Sequence, residues 1–103
     1  MSAVVNQIRQ AEMLGAIATI YRAAGWPLVI DLHANKGNPK AVSGPDFLMV
    51  REGVRRVVKV LGTKGELSAA QEKVRKDWEA GGFEYVVYGH DDFPEAVAAA
   101  NET

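Results

Sequence analysis

Two apolar runs that meet at a tight turn constrain the fold of this chain more than any other feature. The runs are "DFLMVR" (residues 46–51) and "VRRVVKVL" (residues 54–61), and both are rich in residues that favour strands. Glu52-Gly53 lies between them, which is a hairpin signal. The sequence therefore predicts two neighbouring strands, with Lys59 as a charge inside the second one.

The flanking segments predict the remaining elements. Residues 4–24 carry apolar side chains at helical spacing, and residues 27–32 form a short run of strand formers. Ser68 and Gln71 form a capping box, which predicts a helix from Ser68 up to a glycine pair at 81–82.

A fourth strand and a short last helix complete the prediction. Residues 83–88 form another apolar run, and Asp92 with Glu95 forms a second, acidic capping box. The predicted order is α-β-β-β-α-β-α, in which a right-handed crossover makes the last two strands parallel. The predicted fold class is α/β, a mixed sheet flanked by helices with a short C-terminal helix.

Length and composition favour one soluble domain. The chain has 103 residues, of which 48% are hydrophobic and 24% charged, so we expect a single domain spanning residues 1–103. The absence of cysteine excludes thiolate chemistry, and neither a membrane span nor a signal peptide is predicted. These features fit a cytoplasmic protein, and the small size leaves room for a homodimer.

Charge is distributed unevenly along the chain. Between residues 33 and 65 there are seven basic and two acidic residues, whereas from Glu66 onward there are nine acidic and three basic residues. Two interpretations are equally open: the middle third presents a positive surface to a polyanion such as DNA, or the asymmetry is accidental.

One set of polar residues suggests phosphodiester chemistry. Glu12 lies on the first predicted helix, Asp46 starts a strand after Gly44-Pro45, and Gln71 lies on the following helix. Metal-dependent cleavage needs carboxylate oxygens that converge on one cation, together with a positive charge near the phosphate. An Asp at a strand end and a Glu-x-Lys on the next strand supply these groups, because residues i and i+2 share a face.

These residues resemble the VRR-NUC family of the PD-(D/E)XK nuclease superfamily. The resemblance runs roughly from Glu12 to Val97, and its landmarks in order are Glu12, Asn35, Gly37, Gly44-Pro45-Asp46, the hairpin strand, Lys64 to Gln71, Gly81-Gly82 and Asp91-Asp92. It implies a restriction-endonuclease-like αβββαβ core. It also implies Mg²⁺- or Mn²⁺-dependent hydrolysis of DNA, often branched, flapped or single-stranded, by homodimers in bacteria or phage-infected cells.

The resemblance also implies roles for individual residues. The catalytic positions of the family correspond to Asp46, to the strand position of Lys59 and to Gln71. The metal ligands correspond to Glu12 and Asp46. We expect Lys36, Lys40 and Lys64 to contact DNA. The chain departs from the family pattern on the second strand, where Glu-x-Lys is replaced by Lys59-Val60-Leu61.

This departure changes the expected chemistry. An ammonium about 4 Å from a divalent cation repels it by roughly 8 kcal/mol at an effective dielectric constant of 20. We therefore predict that the ammonium of Lys59 occupies the place of the metal, paired with Asp46 and with Glu12 as a further candidate. Leu61 removes the cation that would stabilise the leaving phosphate.

Simpler roles stay open for the same residues. Glu12 can pair with Arg9 on the helix surface, Gln71 is sufficiently explained as the capping residue, and Lys59 can extend from a sheet edge into water.

Three functions follow from the sequence. The first is a nuclease-like domain retained for DNA binding. The second is an active Mg²⁺- or Mn²⁺-dependent nuclease that uses relocated residues, with Lys64 or Glu66 as candidates. The third is a phage protein-interaction or inhibitor module, for which the acidic C-terminal third is the support.

Overall fold

The computed structural model describes residues 3–32, 44–61 and 66–102. The elements are α1 (Ala3–Ala23), β1 (Leu28–Asp31), β2 (Phe47–Arg51), β3 (Val54–Val60), α2 (Ala69–Ala80), β4 (Glu84–Tyr88) and α3 (Phe93–Asn101). This order confirms the one predicted from the sequence. Within the described ranges, no helix combines the length and the apolar composition that crossing a membrane requires.

The four strands form one mixed sheet in the order β1-β2-β3-β4. The first three strands are antiparallel neighbours, and β4 lies parallel to β3 across the α2 crossover. The predicted hairpin is present between β2 and β3, where Arg51 pairs with Val54. Both turn residues have positive φ, 41° at Glu52 and 85° at Gly53, as a tight two-residue hairpin of the right twist requires.

One face of the sheet carries the hydrophobic core. Met13, Ile17 and Tyr21 recur every four residues on α1 and are completely buried. They belong to a cluster with the strand residues Phe47, Met49, Val58, Val60 and Tyr88 and with Ala96 and Ala100 of α3. The small alanine side chains allow α3 to pack closely beside α1.

The opposite face carries α2, which contacts β4 and has no buried residue. Its predicted capping box is present: the Gln71 N–H donates to Ser68 Oγ (3.2 Å), and the Ser68 N–H donates to Gln71 Oε1 (2.7 Å). Helices therefore flank both faces of the sheet, as predicted.

The second predicted capping box, at Asp92 and Glu95, was wrong. Helix α3 does begin after Asp92, but the Asp92 side chain makes no capping hydrogen bond to it. Asp92 Oδ2 instead accepts from the N–H of Gly89 at 2.7 Å, three residues back along the chain. The carboxylate therefore closes the turn after β4, and this use removes it from the helix end.

A buried polar network that the sequence did not predict joins α1, α3 and the sheet. Arg56 is buried, forms an ion pair with Glu84, and donates to the Tyr21 hydroxyl (3.0 Å) and to the carbonyl of Ala99 (3.2 Å). The Tyr21 hydroxyl lies 2.6 Å from that of Tyr88. The guanidinium is satisfied within the protein, as a buried charge requires.

Candidate functional site

Two backbone hydrogen bonds hold Asp46 in place. Its N–H donates to the carbonyl of Val58 at 2.7 Å, and its carbonyl accepts from the N–H of Leu32 at 2.9 Å. The residue therefore links the end of β1 to β3 at the start of β2. These bonds hold the carboxylate against the interior of the sheet.

The Asp46 carboxylate uses both oxygens. Oδ2 accepts from the N–H of Val60 at 2.8 Å, and Oδ1 lies 3.9 Å from Lys59 Nζ. Lys59 Nζ also donates to the carbonyl of Gly44 at 3.2 Å. The predicted pair of Lys59 with Asp46 is therefore confirmed.

The surroundings of Lys59 make this pair an internal one. Its side chain is 7% exposed and that of Asp46 is 4% exposed. β3 lies between β2 and β4, so the alternative in which Lys59 extends from a sheet edge into water was wrong. Val57 and Leu61, at i−2 and i+2, share its face and are buried. An ammonium in such surroundings requires a counterion, which Asp46 supplies.

The Asp46 carboxylate and the groups around it do not fit the requirements of a divalent metal ion. The carboxylate already accepts from a backbone N–H, and the space beside its other oxygen is taken by an ammonium. Mg²⁺ requires a near-octahedral set of oxygen ligands. Among the described residues, no three acidic, histidine or cysteine side chains come together in a group that could hold a metal ion.

Gln10, rather than Glu12, is the residue of α1 that reaches this part of the sheet. Gln10 Nε2 donates to the carbonyl of Val60 at 3.2 Å, while Asp46 accepts from the N–H of the same residue. Gln10 and the buried Met13 and Ile17 lie on one helical face. Glu12 is two residues from Gln10, about 200° around the helix, and is exposed.

Arg9, which was suggested as the partner of Glu12 on the helix surface, has another contact. Arg9 Nη1 lies 3.5 Å from a carboxylate oxygen of Asp91, in the turn before α3. The roles of Glu12 as a metal ligand and of Gln71 as a catalytic residue stay predictions. The Gln71 side chain is engaged in the capping box.

The predicted basic surface is only partly exposed. Lys36, Lys40 and Lys64 lie outside the described residues. Of the other basic residues in the middle third, Arg56 and Lys59 are buried and Arg55 is exposed. Arg51 packs over the ring of Trp26 (4.3 Å) and donates to the Ala100 carbonyl. Two of the four positive charges that the structure describes in this third are therefore internal.

A cleft lies beside the Lys59–Asp46 pair. The α2–β4 cleft has a volume of about 640 Å³ and is lined by Glu66, Leu67, Glu72, Arg75, Tyr85 and Val87. Val87 pairs with Lys59 in the sheet register, and Tyr85 pairs with Val57. The floor of the cleft is thus formed by the strand next to Lys59.

Tyr85 is the residue of this cleft that the sequence analysis missed. Burial, followed by the negative charge of Asp46, raises the pKa of Tyr85 to about 12. Among the described residues, its hydroxyl is the buried side-chain polar atom without a hydrogen-bond partner. Alternation in "FEYVVY" places residues 83, 85 and 87 on one face, so a tyrosine among apolar residues was the available signal.

The chain was compared with models of protein families, with curated proteins and with solved structures, and no match was found in any of the three comparisons.

Proposed function

We propose that this protein is a DNA-binding domain of the VRR-NUC type, in which an internal ion pair replaces the metal of a nuclease site. The observation that carries the proposal is the buried pair of Lys59 and Asp46. The aspartate keeps its position at a strand start, and an ammonium lies where the resemblance implies a cation.

The strand arrangement supports the same interpretation. The order α1-β1-β2-β3-α2-β4, with three antiparallel strands and a parallel fourth, is consistent with the restriction-endonuclease-like core that the resemblance implies. In that core the aspartate strand and the Glu-x-Lys strand are neighbours. Here, Asp46 directly precedes β2, and Lys59 lies on the neighbouring strand β3.

DNA contacts are assigned to the basic side chains that the core does not use. Arg56 and Lys59 are satisfied internally, so the proposal assigns phosphate contacts to Lys36, Lys40 and Lys64, with the exposed Arg55 as a further candidate. Binding through such contacts releases counterions and depends strongly on salt.

The test is fluorescence anisotropy with duplex, branched and single-stranded DNA, in EDTA and in Mg²⁺, between about 50 and 200 mM salt. We expect binding in EDTA. On duplex DNA, a plot of the logarithm of the binding constant against the logarithm of the salt concentration should have a slope of about −1 for each phosphate contact. The triple variant Lys36→Ala, Lys40→Ala, Lys64→Ala should lose about three of these contacts.

A matched control uses the exposed lysines of α2, Lys73 and Lys76. Their double alanine variant should bind DNA as the natural chain does. Affinity that does not change with salt, or that falls equally in both variants, would count against the proposal. Light scattering on the same samples measures whether the protein is the expected homodimer.

An active nuclease is the competing function, and Glu66 supports it because this acid lines the cleft next to β4 together with Glu72. Incubation of the same DNA forms with Mg²⁺ and Mn²⁺ distinguishes the two functions. Cleavage that disappears in Asp46→Ala and Glu66→Gln would establish the competitor. A protein that captures no DNA but co-purifies with one protein partner would instead support the interaction module.

A further inference from the structure

The α2–β4 cleft combines a free hydrogen-bond donor with acceptors and a planar cation. The Tyr85 hydroxyl has less than 1 Å² of accessible surface and no hydrogen-bond partner among the described residues. A buried hydroxyl without a partner is unfavourable, and such groups mark places where a ligand or water completes the bonding. A tyrosine hydroxyl keeps its proton at neutral pH and can donate, and burial raises the pKa of Tyr85 further, to about 12.

Arg75 lines the cleft, and its guanidinium is paired with acidic side chains of α2. Its Nε and Nη2 lie 3.2 Å and 2.6 Å from one carboxylate oxygen of Glu72, and its Nη1 lies 3.8 Å from Glu79. These contacts hold the edge of the guanidinium, so its face is the part left for stacking. An arginine held in this way is a good stacking partner for an aromatic ring.

The charge balance of the cleft disfavours a phosphate. Among the lining residues that the structure describes, Glu66 and Glu72 contribute two carboxylates and Arg75 one guanidinium. Carboxylates accept hydrogen bonds from amino groups, whereas they repel phosphate oxygens. Leu67 and Val87 supply apolar walls. The ligand that fits is planar, carries an amino group, and also presents an acceptor.

We propose that the α2–β4 cleft binds an amine-bearing nucleobase of an unpaired DNA strand. In this arrangement the covered Tyr85 hydroxyl becomes exposed to the ligand and donates to a ring nitrogen or carbonyl of the base. Glu72 or Glu66 accepts from the exocyclic amine of the base, and Arg75 stacks on its face. A volume of about 640 Å³ admits one base together with its sugar. The inference rests on the proposed DNA binding and assigns a place for one base.

The experiment compares labelled single-stranded hexamers of deoxycytidine, deoxyadenosine and thymidine by anisotropy. Thymine has no exocyclic amine, so we expect it to bind about tenfold more weakly than cytosine or adenine. Tyr85→Phe removes only the hydroxyl and should weaken cytosine binding about fivefold. The double variant Glu66→Met, Glu72→Met, which removes both acceptors, should remove most of the preference for amine-bearing bases. The control Lys73→Met, outside the cleft, should retain it.

A second readout locates the ligand. In NMR spectra, deoxycytidine hexamers should shift the Val87 methyl signals of the cleft and leave those of Val97 on α3 unchanged. Thermal unfolding of Tyr85→Phe should occur at the same temperature as in the natural chain or at a higher one, because the variant removes an unpaired buried hydroxyl.

The outcomes separate this inference from the proposed function. If hexamers of all three bases bind equally well and Tyr85→Phe binds as the natural chain does, the base site is overturned while salt-dependent DNA binding still stands. If no DNA form binds, the proposed function fails as well. Free deoxycytidine monophosphate that binds as tightly as the hexamer would overturn the assignment to a strand. An arginine-rich peptide that binds in a Tyr85-dependent way, when hexamers do not, would make the cleft a protein-docking site.

Discussion

Lys59 Nζ lies 3.9 Å from Asp46 Oδ1 inside the sheet, and neither side chain is more than 7% exposed. The lysine lies on a central strand among buried valines, where an ammonium is unfavourable without a counterion. The aspartate is held by backbone bonds to β1 and β3 and receives the N–H of Val60. The ammonium and the carboxylate therefore offset each other's charge inside the sheet.

Lys59→Met should destabilise the protein by about 3 kcal/mol, because it removes the ammonium that lies 3.9 Å from the buried Asp46 carboxylate. The double variant Lys59→Met, Asp46→Asn should recover at least half of that loss, since Asn keeps an acceptor for the Val60 N–H. Urea unfolding of the natural chain, of the single variants Lys59→Met and Asp46→Asn, and of the double variant gives the coupling energy.

The exposed pair of Lys73 and Asp77 is a matched control, with side chains 79% and 67% exposed. Lys73→Met should change the free energy of unfolding by less than about 1 kcal/mol. A Lys59→Met variant as stable as this control would show that the buried pair contributes nothing to stability.

Ser68→Ala should destabilise α2 by about 1 kcal/mol, because it removes the side chain that accepts from the Gln71 N–H. Gln71→Ala removes the reciprocal bond and should cost roughly half as much. Chemical denaturation measures both losses. A Gln71→Ala variant of unchanged stability but reduced DNA affinity would instead assign Gln71 to the site, as the resemblance implies.

Arg56→Met should cost at least about 3 kcal/mol, because it leaves Glu84 without its ion pair and removes donors to Tyr21 and Ala99. Its neighbour Arg55 is exposed and packs over the ring of Phe83 (5.0 Å), so Arg55→Met should cost about 1 kcal/mol or less. Thermal unfolding distinguishes them, and equal losses would contradict the internal role of Arg56.

Stability should fall at alkaline pH. In the unfolded chain a tyrosine loses its proton near pH 10, whereas burial raises the pKa of Tyr85 to about 12 in the folded protein. The unfolded state therefore releases the proton first, and stability declines from about pH 10 to about pH 12. Burial also raises the pKa of Tyr88, which adds to the decline.

Urea midpoints measured from about pH 8 upward test this, with Tyr85→Phe as the comparison. The variant should lose stability less steeply above about pH 10. Identical slopes for the two proteins would mean that Tyr85 ionises as readily in the folded state as in the unfolded one.

Local sequence patterns predicted much of the fold because the decisive interactions are local. The hairpin at Glu52-Gly53, the capping box of Ser68 and Gln71, and the element order all depend on residues close together in the chain. The same reasoning failed at Asp92, because its carboxylate had a competing local partner in Gly89. A pattern of residue types does not determine which of two nearby N–H groups an aspartate binds.

The candidate site was predicted only in part, because its contacts join distant segments. Lys59 was paired with Asp46 through the resemblance and the neighbouring strands, and the pair is present. Gln10 donates a hydrogen bond to Val60, which lies fifty residues away in the chain. Tyr85 lines one cleft together with Glu66 and Arg75, because α2 packs on β4. No regular spacing of residues along the sequence predicts either of these arrangements.

We propose that the ammonium of Lys59 takes the place of a metal ion beside Asp46. Thermal unfolding of the natural chain, Lys59→Glu and Asp46→Asn, each in EDTA and in excess Mn²⁺, tests this proposal. We predict that the natural chain unfolds at the same temperature in both conditions, whereas Lys59→Glu is destabilised in EDTA and regains stability with Mn²⁺. A natural chain that Mn²⁺ stabilises, with the effect lost in Asp46→Asn, would contradict the proposal.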